Sequence, residues 1–116
     1  FEGEYLNGKR WNGKGYNKAG IIDFKIKEGK GEGKEYRPND KIKFEGEYLN
    51  GEKNGKGKEF NSEGQLSYEG EYKNGEKNGK GKEFYSGGQL SYEGEYKNGE
   101  KNGKGKEYYM DDKILN

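Results

Sequence analysis

The sequence contains no cysteine, histidine, threonine or valine, and only one proline. Without cysteine there are no disulfides, zinc–thiolate sites or thiol nucleophiles. Without histidine the usual general base and the commonest transition-metal ligand are missing. No apolar run approaches the length of about 18–20 residues that crosses a bilayer, and no signal-peptide core opens the chain. These absences predict a cytoplasmic protein that is not an enzyme and uses no metal or cofactor.

Hydrophobic residues are scarce as well. They make up 25% of the 116 residues, and Leu, Ile, Val and Phe together number 15, below the roughly 20% that a packed core needs. Two features nevertheless oppose disorder: 23 basic and 22 acidic residues nearly cancel, and aromatics reach 15%, with 11 tyrosines. Disordered chains are poor in aromatics, so the composition predicts a thin, aromatic-rich sheet. The net charge of +1 gives no overall field that would attract nucleic acid.

A repeat of 24 residues organises the chain. Residues 68–84 read YEGEYKNGEKNGKGKEF, and this unit recurs almost unchanged at 44–60 and 92–108. Self-similarity of this kind indicates a repeat array, which occupies residues 1–116 as a single domain. Its five units are residues 1–20, a degenerate unit 21–43, 44–67, 68–91 and an incomplete unit 92–116. Because the array starts within a strand signature and stops in mid-unit, we expect it to be a segment of a longer chain.

Each unit is predicted to form a β-hairpin. Between Tyr68 and Tyr72 the side chains alternate with period two, as in a strand with one covered face. The pairs Asn74-Gly75 and Asn78-Gly79 both favour the positive φ of tight hairpin turns. The second strand is then expected from about Gly79 to Tyr85, followed by a looser turn around residues 86–88. The predicted fold is all-β: a single-layer, elongated, twisted antiparallel sheet of tandem hairpins.

The rings of such a sheet are the candidate binding surface. A tyrosine ring can cover a glycine of the neighbouring strand, while Glu and Lys occupy the other face. Since a single layer has no second layer above it, some rings are expected to remain accessible, and exposed apolar patches mark interaction sites. The predicted partner-binding residues are Phe44, Tyr48, Tyr68, Tyr72, Tyr92, Tyr96, Tyr5 and Trp11, the last of them an extra residue in the first unit's turn. In the alternative interpretation, the rings only cover their own sheet.

The repeated unit resembles the MORN repeat (membrane occupation and recognition nexus). The resemblance lies in residues 68–72 (YEGEY), Asn74-Gly75 and residues 78–81 (NGKG), since the family's unit is similar to Y-x-G-x-[WY]-x-N-G-x-x-x-G-x-G. The period is one residue longer than usual, and the second-strand aromatic, as at Phe60 and Phe84, comes one residue later. This shift predicts a bulge or a changed face in the second strand. It also makes the sequence similar to the variant MORN repeats of bacterial antitoxin-like proteins.

The resemblance implies a scaffold, a dimerisation module or a peptide-binding module, and more weakly a phospholipid-binding one. An extended peptide or an amphipathic helix along the rings is the expected ligand. Homodimerisation and an architectural spacer attached to an effector domain outside this segment are the alternatives. The nearest basic cluster for membrane contact is Lys9-Arg10 with Lys14. Paired glutamates such as Glu69 and Glu71 recur in identical form, which favours a solvated face paired with lysines over a catalytic site.

Overall fold

The sheet of this protein is built from consecutive hairpins. The computed structural model describes residues 1–109, and ten strands form one antiparallel sheet in which the strand order is the chain order. The strands are β1 (Glu2–Leu6), β2 (Lys9–Tyr16), β3 (Ile22–Lys27), β4 (Lys30–Tyr36), β5 (Ile42–Leu49), β6 (Glu52–Phe60), β7 (Leu66–Lys73), β8 (Glu76–Phe84), β9 (Leu90–Lys97) and β10 (Glu100–Glu107). The predicted single-layer all-β fold is therefore confirmed. Across residues 1–109 no helix has the length and apolar character needed to cross a membrane.

Each hairpin closes through a two-residue turn whose geometry the sequence explains. Asn74 and Gly75 have φ angles of 53° and 84°, and positive φ at both central residues matches the right-handed twist of the flanking strands. The second unit keeps this geometry without asparagine, since Glu28 and Gly29 have φ angles of 50° and 80°. The unit that has lost its sequence signature therefore still forms a hairpin, β3–β4.

The second Asn-Gly pair of the repeat is not a turn, and the prediction for it is wrong. Asn78 and Gly79 lie inside β8, which begins at Glu76 rather than at Gly79. Here β8 has two more residues than β7 between consecutive paired positions, and Gly79 takes a φ of 95°. Glycine at positive φ is typical of a β-bulge. The bulge allows the longer strand to stay paired, so the hairpin has one turn and not two.

Between units the chain reverses through longer turns, as predicted around residues 86–88. The N–H of Tyr85 donates to the carbonyl of Gln89 at 2.8 Å and closes one of them. Just before this turn, the pairing of β8 with β9 shifts register between Glu83 and Phe84. Glu83 pairs with Tyr92 and Phe84 with Leu90, so the extra residue is Ser91 of β9. An irregularity is present beside the late aromatic, but this bulge lies in the facing strand and not in the second strand, where it was predicted.

Trp11 lies in β2, not in the first turn as predicted. The first turn is Asn7-Gly8, as in the regular units, and the extra residue is absorbed by a register shift in the pairing of β1 with β2. The Trp11 ring packs against Gly29, where an added Cβ would lie 2.6 Å from it. The Trp11 carbonyl also accepts the N–H of Gly29 at 2.9 Å. The extra residue thus fastens the first unit to the irregular second one.

A row of directly paired glycines crosses the sheet from β4 to β10. Its members are Gly33, Gly46, Gly57, Gly70, Gly81, Gly94 and Gly105. At β3 the row ends in Phe24, which pairs with Gly33. Rings lie over these glycines, since a Cβ on Gly81 would be 2.5–2.8 Å from atoms of Tyr68. The predicted covering of glycine by aromatic rings is confirmed.

Gly81→Ala should lower the free energy of unfolding by about 1–3 kcal/mol, the usual cost of overpacking. The Tyr68 ring is fully buried, so it cannot move away freely from an added Cβ. Gly87→Ala is the matched control, because nothing lies within 4 Å of a Cβ there. Its effect should stay within about 0.5 kcal/mol. Urea unfolding followed by circular dichroism measures both, and equal losses would contradict this account of the ring cover.

Candidate functional site

One face of the sheet carries a continuous cluster of rings. We call it the ring cluster, although it includes one isoleucine beside the aromatic rings. Its members are all buried: Phe24, Ile26, Phe44, Tyr48, Tyr68, Tyr72, Tyr92 and Tyr96. Neighbouring rings meet edge to face, with centroids 5.0–5.8 Å apart, an arrangement that aromatic quadrupoles favour. The irregular second unit takes part through Phe24 and Ile26. The cluster is therefore the core of residues 1–109, which form one layer of backbone.

Lysines cover the outer side of the ring cluster. The Nζ of Lys53 lies 4.2 Å from the centroid of the Phe44 ring, and the same arrangement recurs one and two repeats later at 4.4 and 4.6 Å. Each contact contributes about 0.5–2 kcal/mol, and the methylene stems shield apolar surface from water. The expectation that a single layer leaves the rings accessible is wrong for six of the eight predicted residues, because these lysines act as the second layer.

Two hydroxyls of the ring cluster donate to glutamate carboxylates. Tyr72 Oη donates to Glu59 Oε2 at 2.5 Å, and Tyr96 Oη donates to Glu83 Oε2 at 2.6 Å. Burial, together with the hydrogen bond to Glu59 and its charge, raises the pKa of Tyr72 far above its ordinary value. The same causes raise the pKa of Tyr96. The equivalent hydroxyl of Tyr48 is buried and has no hydrogen-bond partner among the described residues.

Tyr72→Phe and Tyr48→Phe should therefore have different effects on stability. Tyr72→Phe removes a buried hydrogen bond to a charged acceptor and should lower the free energy of unfolding by about 1.5–3 kcal/mol. Tyr48→Phe removes a buried hydroxyl that has no partner, so the free energy of unfolding should stay equal or rise. Urea unfolding at neutral pH measures both variants. A loss of the same size in Tyr48→Phe would show that its hydroxyl is satisfied after all.

The opposite face of the sheet holds an open groove with a volume of about 1100 Å³. The backbone of the glycine row forms its floor, and a row of charged side chains stands on each side. One row contains Glu45, Lys58, Glu69, Lys82 and Glu93, and the other contains Glu47, Lys56, Glu71, Lys80 and Glu95. We call this surface the charged groove. It differs from the ring face in that its lining is reachable from solvent.

The charges of the groove alternate from strand to strand. Between β5 and β9, glutamates come from β5, β7 and β9 and lysines from β6 and β8, so bands of opposite sign follow each other at about 4.8 Å. The alternation of whole bands ends at β4, which contributes both Glu32 and Lys34. Lys58 pairs with Glu69 at 3.6 Å, and Lys82 pairs with Glu93 at 3.8 Å. Each of these exposed pairs contributes less than about 1 kcal/mol. The side chains can therefore exchange these partners for groups of a ligand at small cost.

The other row of the charged groove also has a structural role. Glu47 Oε1 accepts the N–H of Lys56 at 2.8 Å and lies against Gly55. Glu71 lies against Gly79 in the same way. These carboxylates hold the bulges, so we expect the row that begins at Glu45 to supply most of the exchangeable charges. Within residues 1–109 no group of three or more potential ligand side chains is placed to hold a metal ion.

The repeats of this chain match a known protein family. The sequence profile of the MORN repeat matches residues 1–15, 44–65, 68–89 and 92–113, more than half of the chain. The chain belongs to the MORN-repeat family. The profile of a MORN repeat variant matches residues 30–50, which include β4 and β5. No curated protein and no solved structure matches the chain. MORN repeats build scaffolds, while the likeness to bacterial antitoxin-like variants stays a prediction.

In this MORN array the eight predicted binding residues do not form one accessible surface. The six that belong to the last three repeats are between 0% and 6% exposed. Tyr5 is 58% exposed, and Trp11 is half-buried against the second repeat. Their partner-binding role stays a prediction, and only Tyr5 offers a largely exposed ring.

The charged groove of the MORN array was not predicted from the sequence. The glutamate pairs were interpreted as a solvated face, which is correct for their exposure but does not consider the open groove between the two charged rows. A signal was present in the sequence of the last three repeats: β5, β7 and β9 carry Glu-Gly-Glu, and β6, β8 and β10 carry Lys-Gly-Lys. Because the residue between the two like charges points to the ring face, the two charged side chains of each such strand stand on the opposite face with bare backbone between them.

Proposed function

We propose that this MORN array is a non-enzymatic scaffold that binds a protein or peptide segment along the charged groove. The observation that carries the proposal is the contrast between the two faces. Lysines and hydrogen-bonded hydroxyls close the ring face, whereas the opposite face offers an open groove of about 1100 Å³ over a bare glycine floor. A flat floor lets a ligand backbone approach the sheet closely.

The alternating bands of charge indicate which charge pattern a complementary ligand would have. A segment that lies across the strands meets acid and base in turn, so one with charges of alternating sign is complementary along its whole length. Electrostatic complementarity of this kind supplies specificity and register more than affinity. Affinity would come from the methylene stems of the walls and from the backbone of the floor. The proposal includes a cytoplasmic location, which fluorescence microscopy of the tagged chain tests.

The test uses a displayed library of random peptides selected against the chain, with affinities of the selected peptides measured by fluorescence anisotropy. Lys58→Glu and Lys82→Glu interrupt the bands and should weaken the selected peptides about tenfold or more. Lys18→Glu is the control, because Lys18 lies in the turn between β2 and β3 and is 82% exposed. Peptides that bind all three variants equally would overturn the groove as the site. Failure to select any peptide would favour the architectural spacer.

Membrane contact is a second candidate, favoured by the exposure of Tyr5 and Leu6 close to the basic pair Lys9-Arg10. Against it, Lys9 pairs with Glu52 at 3.2 Å, and Arg10 stacks on the rings of Phe1 and Phe24. Flotation with phosphatidylserine vesicles decides the matter. The absence of binding even at low salt, where surface charges act most strongly, would remove this candidate.

A further inference from the structure

Apolar cross-strand pairs lie where one repeat passes into the next. The last residue of β4, β6 and β8 is aromatic, and it pairs with the aliphatic residue that begins the following strand. These pairs are Tyr36 with Ile42, Phe60 with Leu66, and Phe84 with Leu90. All six side chains are half-buried. Because successive pairs are two strands apart, they recur about every 9.6 Å across the sheet, and we call them the apolar row.

The apolar row lies on the same face as the charged groove. Phe60 comes two residues after Lys58, which lines the groove, and residues two apart on a strand share a face. Tyr36 Oη donates to Asp23 Oδ2, and Asp23 also lines the groove. Within residues 1–109, Phe1 is the partly buried hydrophobic residue that packs against the ring cluster. The apolar row therefore takes no part in that core.

The charged row beside the apolar row is the one that begins at Glu45, which we call the Glu45 row. On β4, β6 and β8 the lysine of this row precedes the aromatic residue of the apolar row by two positions, a distance of about 6.7 Å. The signs of the Glu45 row still alternate at β4, because Lys34 pairs with Glu45. In the other charged row, Glu32 pairs with Glu47, so the alternation is broken there. The Glu45 row thus alternates in sign over β4–β9, the strands that carry the apolar row.

The spacing of these charges indicates the conformation of a complementary ligand. Neighbouring charges of the Glu45 row have opposite signs and lie about 4.8 Å apart. On one flank of an α-helix, residues three or four apart advance by about 4.5–6 Å. Residues on one side of an extended segment advance by about 6.7 Å, and those on one edge of a polyproline II helix by about 9.3 Å. Among these, the α-helix places a residue of opposite sign close to every charge of the row.

An α-helix also has the width to contact the apolar row and the Glu45 row together. Its diameter with side chains is about 10 Å, while the two rows are about 6.7 Å apart. Strands β4–β9 extend over about 24 Å across the sheet, which is the length of roughly 16 helical residues. Burial of apolar side chains on the apolar row supplies affinity that exposed ion pairs alone supply only weakly.

We propose that the segment bound along the charged groove is an amphipathic α-helix that lies across the strands, with its apolar face on the apolar row and one charged flank on the Glu45 row. This inference rests on the proposed function and names the kind of segment that is bound. The Glu45 row has exchangeable charges, because its pairs Lys58–Glu69 and Lys82–Glu93 are long and exposed, at 3.6 and 3.8 Å. The other row holds the bulges.

Binding of a designed peptide of about 21 residues to the 116-residue chain tests the inference. This helical probe carries leucines at spacings of three and four residues, with glutamate and lysine alternating along one flank. Fluorescence anisotropy measures its affinity, and circular dichroism of the mixture should show a gain of helix. A probe of the same composition whose flank has all glutamates before all lysines should bind about tenfold more weakly. A probe with a central proline, which breaks the helix, should lose at least as much.

Leu66→Ser should weaken binding of the helical probe about tenfold, because it removes an apolar side chain from the middle of the apolar row. Leu49→Ser is the matched control, since Leu49 is 43% exposed and ends β5 on the hairpin-turn side of the groove. Both variants should keep the circular dichroism spectrum of the unaltered chain. Equal affinities of the probe for the two variants, or for the alternating and the block-charged probes, would overturn the inference.

The peptides selected from the random library separate this inference from the proposed function. Selected peptides that gain helix on binding and bind Leu66→Ser more weakly would support both. Peptides that bind Lys58→Glu more weakly, gain no helix and bind Leu66→Ser normally would retain the proposed function and overturn the helix. If no peptide is selected and the helical probe does not bind, both are overturned.

Discussion

Tyr72→Ala should lower the free energy of unfolding by about 3–5 kcal/mol, the usual loss when a large buried ring is removed. The Tyr72 ring is 4% exposed and lies edge to face against Phe44 at 5.3 Å and Tyr68 at 5.4 Å. Its removal opens a cavity between two repeats and also deletes the hydrogen bond to Glu59. Since domains of this size have about 5–15 kcal/mol of stability in total, this one change removes a large part of it.

Tyr5→Ala is the matched control, because Tyr5 holds the same position in the first repeat and is 58% exposed. It meets one ring, Phe1, so its loss should cost about 1 kcal/mol or less. Urea unfolding monitored by circular dichroism gives both values. Similar losses for Tyr72→Ala and Tyr5→Ala would contradict the assignment of the ring cluster as the core. The comparison also matters for binding assays, because lost binding in Tyr72→Ala would reflect unfolding.

The hairpin array could be predicted from the sequence because its causes are local. Period-two alternation determines which side chains share a face. Asn-Gly is among the strongest sequence signals for a two-residue hairpin turn. The covering of Gly81 by Tyr68 followed from the same alternation once neighbouring strands were assumed to pair. Each of these inferences needs only the residues of one hairpin and its neighbour.

The features that were missed depend on register and on side chains that reach across strands. Asn78-Gly79 has the same sequence as a turn, and only the pairing of β8 with β7 makes it a bulge. Lys77 covers Tyr68 from the paired strand, which alternation alone does not reveal. The turn at Glu28-Gly29 could not be located from the sequence because positive φ is unusual at glutamate, and the surrounding sheet imposes it.

The two faces of the sheet contribute unequally to stability, and the face that contributes less is the one proposed to bind a ligand. A single hairpin is marginal in water, so each repeat depends on the next for ring contacts and for paired backbone. The ring contacts of the ring cluster couple neighbouring repeats. These contacts and the covering lysines bury the rings, so the rings offer little surface to a partner. The charged groove contributes little to stability, because its ion pairs are exposed and weak. Substitutions there should therefore change binding without unfolding the array.

The buried tyrosines predict steep unfolding at alkaline pH. Burial is the main cause that raises the pKa of Tyr68, Tyr72 and Tyr96 far above the ordinary value of 10.0, with carboxylate charges acting in the same direction. Above that value the unfolded chain loses protons that the folded chain retains. The stability from these groups is complete below about pH 10 and falls as pH rises. Each tyrosine that stays protonated in the folded chain lowers the free energy of unfolding by at most about 1.4 kcal/mol per pH unit above pH 10.

Tyr72→Phe separates this effect from the titration of other groups. With one ionisable hydroxyl fewer, the fall in stability should become shallower by about 1.4 kcal/mol per pH unit. Urea unfolding at a series of pH values gives both slopes, and absorbance of the tyrosinate should rise in the same step as the loss of the sheet signal. Equal slopes for the two proteins would mean that Tyr72 ionises in place. If the slopes differ as expected, ionisation of the buried tyrosine hydroxyls causes the loss of stability at alkaline pH.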